Sequence, residues 1–96
     1  MANLCDNDFY FYSENKDNLE YVWNFINEYF EHSCEIYDNT VEGWFSSKWT
    51  FPEELMEEMF NNLPCKDDVQ ARCLSVEYGC LYHALWTCDE DGWIER

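Results

Sequence analysis

The chain has 96 residues, 47% hydrophobic and 20% aromatic, with 21 Asp and Glu against 5 Lys and Arg, and a formal net charge of -16 at pH 7. That charge excludes a phosphate-binding surface, which needs Lys and Arg, and it disfavours anionic membranes, which repel it. The apolar share excludes the poorly hydrophobic composition in which highly charged chains stay disordered, so residues 1–96 are expected to fold as a single domain.

The opening Met1-Ala2-Asn3-Leu4-Cys5-Asp6 has neither the basic region nor the apolar run of an export signal. No apolar run is long enough to span a bilayer. The expectation is a protein of the host-cell cytoplasm. Asp8-Phe9-Tyr10-Phe11-Tyr12-Ser13 reads as a first strand, rich in aromatics. Asp17 with Glu20 three residues on is a capping-box pattern. Leu19, Val22, Trp23, Ile26, Tyr29 and Phe30 then recur at helical spacing, predicting a helix over about residues 18–31. Glu20, Asn24, Asn27, Glu28 and Glu31 make its water-facing side. Cys34-Glu35-Ile36-Tyr37 reads as a strand, Asp38-Asn39-Thr40 as a turn, and residues 41–50 as the second arm of a hairpin.

A second helix is expected to open at Thr50-Phe51-Pro52-Glu53. Thr50 would cap it, Pro52 would fill the first turn, and Glu53 would suit the positive end. Leu55, Met56, Met59, Phe60 and Leu63 form its apolar stripe, and Pro64 stops it. Residues 69–78 alternate, with Arg72, Leu74, Val76 and Tyr78 on one side. Gly79 permits a turn, residues 81–87 give a further strand, and Asp89-Glu90-Asp91-Gly92 is a tight turn after which Trp93-Ile94 pairs back. The expected fold is therefore α+β, a ferredoxin-like split βαβ in the order β-α-β-β-α-β-β, with an antiparallel sheet and two helices on one face.

Met1-Ala2-Asn3-Leu4-Cys5, Gly43-Trp44-Phe45-Ser46-Ser47-Lys48-Trp49, the Phe51-Pro52 helix start and Glu77-Tyr78-Gly79-Cys80 together resemble the small YubB-type ferredoxin-like proteins of plasmids and phages. The resemblance runs in order through most of the chain. It implies a ferredoxin-like fold and a mobile-element setting, and it carries no catalytic residues with it.

Cys5, Cys34, Cys65, Cys73, Cys80 and Cys88 contain no C-x-x-C pair. With no export signal they are expected to be reduced thiols that pack as small hydrophobes. Cys5, Cys34, His32 and His83 are the set weighed as metal ligands. His83 reads better as a hydrogen-bonded sheet residue, and no metal or cofactor is expected. Asp89-Glu90-Asp91-Gly92 lacks the alternation of a calcium loop.

Glu53, Glu54, Glu57 and Glu58 form the densest negative patch, with like charges at 53–57 and 54–58 that work against the helix by about 0.2–0.5 kcal/mol per pair. One reading is a solvated helix face. The other is a surface resembling DNA phosphates, to which Asp67, Asp68, Asp89, Glu90 and Asp91 would add as acidic loops. Trp44, Trp49, Trp86 and Trp93 are read as core, while any exposed on the uncovered sheet face would serve a homodimer or partner docking.

The leading expectation is a non-enzymatic inhibitor from a phage or other mobile element, blocking a basic nucleic-acid-binding protein such as a CRISPR effector or a restriction enzyme. The partner is not nucleic acid itself and not a membrane. One alternative is an acidic interaction module for a different basic partner, and another is a small metal- or thiol-dependent Cys/His enzyme. Self-repulsion in so acidic a body is screened by salt. Thermal unfolding is therefore expected to be cooperative, with a melting temperature several degrees higher at about 0.3 M NaCl than at about 0.02 M. A melting temperature that ignores salt would show that the charges do not strain the fold.

Overall fold

The computed structural model describes residues 4–79 and 82–96. Eight elements follow one another: β1 (Leu4–Tyr12), α1 (Lys16–Tyr29), β2 (Glu35–Tyr37), β3 (Thr40–Lys48), α2 (Glu53–Asn61), β4 (Gln70–Glu77), β5 (Tyr82–Asp89) and β6 (Gly92–Glu95). The strands form one antiparallel sheet in the order β2-β3-β1-β4-β5-β6. The α+β architecture with two helices agrees with the sequence reading, but the sheet has six strands rather than five. The difference is β6. Asp89 Oδ1 accepts from the Asp91 N–H at 2.8 Å and Gly92 takes φ +105°, so the turn closes tightly enough for residues 92–95 to pair fully with β5. The expected strand at 81–87 begins, as described, at Tyr82, and Met1, Ala2, Asn3, Cys80 and Leu81 lie outside the described residues.

Period-two alternation assigns the two sheet faces. Along β1, Cys5, Asn7, Phe9 and Phe11 are buried beneath the helices, while Leu4, Asp6 and Asp8 are exposed on the other side. Phe9, Phe11, Val41, Phe45, Ala71 and Cys73 meet Leu19, Val22, Phe25 and Ile26 of α1 and Met56 and Met59 of α2 in one core. Phe30 and Phe9 contact Phe45 at 4.5 and 5.6 Å, and Phe51 stacks on Trp86 at 4.4 Å. The Trp93 ring joins Phe51 at 5.3 Å, and its Nε1 donates to the Met56 carbonyl at 3.1 Å. Edge-to-face and stacked pairs of this kind add about 0.5–1.5 kcal/mol each beyond their buried area.

Both helix starts differ from the capping expected. Asn15, not Asp17, caps α1, its Oδ1 accepting from the N–H groups of Asp17 and Asn18 at 2.9 and 3.3 Å. Pro52 occupies the cap position of α2 with no side-chain cap bond, and the Thr50 hydroxyl donates to the Phe51 carbonyl instead. Among the described residues no helix is long and apolar enough to cross a membrane.

Residues 31–34 lie alongside β3: the Ser33 N–H donates to the Trp44 carbonyl at 2.9 Å and Ser46 N–H to Glu31 at 2.9 Å. Gly43 makes this approach, with φ +145° and space for no Cβ, which would stand 2.6 Å from the Ser33 carbonyl oxygen. A Gly43→Ala variant is expected to lose about 2–3 kcal/mol of stability in urea unfolding. An unchanged midpoint would mean that the 31–34 segment moves aside at little cost.

Candidate functional site

The carboxylates are almost all outside the core: every Asp and Glu except Asp68 and Glu77 is exposed. The densest group stands where the sequence placed it. Glu53, Glu54, Glu57 and Glu58 are exposed on α2, opposite the buried Met56 and Met59. A shallow groove of about 290 Å³ separates α2 from α1, with Glu28 and Glu58 among its lining residues beside Tyr21 and Phe25. Partial burial and the nearby Glu58 charge raise the Tyr21 phenol above its ordinary pKa. The helical layer thus carries two neighbouring acidic surfaces. The ring of Phe60, late in α2, lies beside Gly92, which brings the exposed Glu90-Asp91 tip close to the end of the helix.

The acidic loops do not behave as one set. Asp67 is exposed. Asp68 is half-buried, and its Oδ2 accepts from the Ser13 hydroxyl at 3.0 Å and the N–H groups of Glu14 and Asn15 at 2.8 and 3.1 Å. Beside it the buried Asn18 donates to the Cys65 carbonyl at 2.7 Å and accepts from the Cys65 N–H at 2.9 Å. Together they clamp the β1–α1 turn to the α2–β4 connection, so Asp68 serves the fold. Asp89 lines a depression on the helix-free side with Gln70 and Arg96, away from α2.

The uncovered sheet face holds a second group, only partly visible in the sequence. The register sets Asp8 between Trp44 and Leu74, Tyr10 between Glu42 and Arg72, and Leu74 opposite Leu85. The Arg72 guanidinium lies 4.5 Å from the Tyr10 ring centre, a cation–π contact. Trp44 is exposed here, while Trp86 and Trp93 pack on the helix side as expected for core. Trp49 is also exposed, at φ +70° where β3 ends. A left-handed conformation costs a side chain with Cβ about 1–2 kcal/mol.

The described cysteines and histidines are spread over both sides of the sheet. His32 Nδ1 accepts from the Cys34 N–H at 3.0 Å and its Nε2 pairs with Asn27 Oδ1. His83 is exposed on the helix-free face, whereas Cys5 is buried on the other. Among the described residues no three His, Cys, Asp or Glu side chains are grouped to hold a metal ion. Burial pushes the Cys34, Cys73 and Cys88 thiols up to about 12 and raises Cys5 as well, which keeps them neutral and poorly nucleophilic near pH 7. Cys80 lies outside the described residues. No family model, curated protein or solved structure matches this chain.

The contrast between the paired aspartates is measurable. Asp68→Ala removes three hydrogen bonds, although the Asn15 N–H keeps a second acceptor in Ser13 Oγ at 3.0 Å, and is expected to lower unfolding free energy by about 1–3 kcal/mol, while Asp67→Ala stays within about 0.5 kcal/mol of wild type. Equal effects at both positions would remove Asp68 from the clamp.

Proposed function

We propose that this chain is a non-enzymatic inhibitor encoded by a phage or other mobile element, acting in the host cytoplasm. It occupies the nucleic-acid groove of a basic defence protein, a CRISPR effector or a restriction enzyme, with carboxylates in place of phosphates. The observation that supports this best is the exposed set Glu53, Glu54, Glu57 and Glu58 on one helix that contains no Lys or Arg. From 53 to 58 the helix rises about 7.5 Å. Four charges over that rise approach the roughly one charge per 1.7 Å of duplex DNA. Carboxylates on a helix are also held more rigidly than on a loop, so little order is lost when a cationic groove closes over them.

The same reading takes the fold to be the ferredoxin-like split βαβ that the YubB-type resemblance implies, here with a β5–β6 hairpin appended. The order β2-β3-β1-β4 supports it, because β3 lies between β1 and β2, the two strands that α1 connects. A second reading, an acidic module for a different basic partner, is favoured by the aromatic, partly apolar helix-free face, which resembles no phosphate backbone.

The test is protection of a plasmid or phage in cells carrying a CRISPR or restriction system. Glu54→Lys/Glu57→Lys/Glu58→Lys is expected to weaken target binding by about 100-fold, taking each reversed charge as roughly 1 kcal/mol. Protection should disappear while the melting temperature holds or rises, because like-charge pairs are removed. Undiminished protection by the triple variant would sink the phosphate-mimic role of α2. Binding that weakens with salt but ignores competing DNA or RNA would leave the second reading in its place.

A further inference from the structure

We infer that the helix-free sheet face is a docking surface for a cationic amphipathic helix of a partner protein. The inference rests on the proposed function only for the sign of the partner's charge, and it concerns the side of the sheet opposite α2. The face divides by strand. On β1, β3 and β2 it presents Asp6, Asp8, Glu42 and Glu35, with Trp44 among them and Lys48 at the end of β3; on β4, β5 and β6 it presents Leu74, Val76, Leu85 and Ile94, with Arg72 and His83 beside them. Trp44 and Leu74 flank Asp8, so the acidic and apolar halves meet along the central strand. Trp44, Leu74, Leu85 and Ile94 expose 46%, 44%, 41% and 45% of their surfaces. Four such side chains on four strands of one face form a patch rather than scattered exposure.

A groove of about 420 Å³ crosses this patch, lined by Asp8, Tyr10, Glu42, Arg72, Leu74 and Leu85. Arg72 is already committed to the Tyr10 ring. Glu35 and Glu42 face each other directly across β2 and β3. Like charges so placed destabilise a sheet pair, and a bound cation removes that cost.

Charge complementarity selects the occupant. A second copy would bring the same acidic half and a net charge of -16 to the contact. Nucleic acid and anionic lipid are repelled for the same reason. A helix with Leu-type residues on one stripe and Lys or Arg beside them satisfies both halves at once.

The probe is a synthetic fluorescein-labelled Leu/Lys amphipathic peptide about four turns long, titrated by anisotropy and mapped by amide NMR shifts on the full chain. Shifts are expected on β1, β3, β4 and β5. Trp44→Ser/Leu85→Ser should weaken binding at least tenfold, and Asp8→Asn/Glu42→Gln should flatten its salt dependence. Should the first variant fail to fold, the second, which touches no buried group, decides. The α2 reversal Glu54→Lys/Glu57→Lys/Glu58→Lys should change peptide affinity less than about threefold. No binding, shifts centred on α2, silent face variants, or sedimentation as a dimer through this face would each overturn the inference. None of those outcomes touches the plasmid-protection result, so the two readings fail separately.

Discussion

The structure depends on the alternation of β1. This strand is central, paired on one side with β3 and on the other with β4. Its inward positions are Cys5, Asn7, Phe9 and Phe11, and its outward positions include Asp6 and Asp8. A slip of one residue would put both carboxylates into the core and both phenylalanines into water. An unpaired buried carboxylate costs several kcal/mol even after relaxation. The same charge that strains the folded state therefore also helps to specify it, because every odd-numbered slip of register is far worse.

Around this strand the core is built by different means at its two ends. Toward Phe9 and Phe11 it is aromatic, running from Phe30 through Phe45 and Phe9 to Trp93, Phe51 and Trp86. Toward Cys5 it becomes polar. Asn7 Oδ1 accepts from the Ser75 hydroxyl at 2.6 Å, and its Nδ2 donates to the Phe45 carbonyl at 3.0 Å and to Ser47 Oγ at 2.9 Å. Ser47 in turn donates to the Thr50 carbonyl at 2.7 Å. A fully satisfied polar cluster stabilises modestly but fixes geometry. It ties β1, β3 and β4 together and anchors the turn that leads into α2. The Trp86 Nε1, buried with no partner, is the exception to this satisfaction among the described residues.

What the sequence revealed follows the range of the forces involved. The stripes of α1 and α2 and the alternation of β4 are local periodicities, and the helices, strands and water-facing residues they predict are present. Phe25 escaped the α1 stripe although it is buried, because its neighbours already met the helical spacing. The caps are not legible locally, because several side chains near each start have capping chemistry and tertiary placement chooses among them. Asp68 looked the same as Asp67, since the Ser13, Glu14 and Asn15 donors that distinguish it lie more than 50 residues away. The Asn7–Ser75 bond spans 68 residues and leaves no periodic trace. Of the candidate site, the α2 carboxylates were legible as a helix face. The division of the opposite face into acidic and apolar halves was not, because it exists only once six strands are in order.

The positions of the charges separate folding from function. One carboxylate alone among the described residues enters the core: the buried residues are aromatic, aliphatic and thiol, with Asn, Ser and Glu77 as the polar members. Asp68 holds a turn, and Glu77 accepts from the Gly79 N–H at 2.7 Å. The four glutamates of α2 do the helix no comparable service. Glu53 and Glu54 suit its positive end, but Glu57 and Glu58 oppose them one turn on. Glu35 and Glu42 likewise oppose each other across a strand pair. Arrangements that cost stability on two separate surfaces, in a chain with 5 basic residues to relieve 21 acidic ones, are not explained by folding. Under the proposed function they are accounted for, because a positively charged partner surface would turn the same repulsions into attraction.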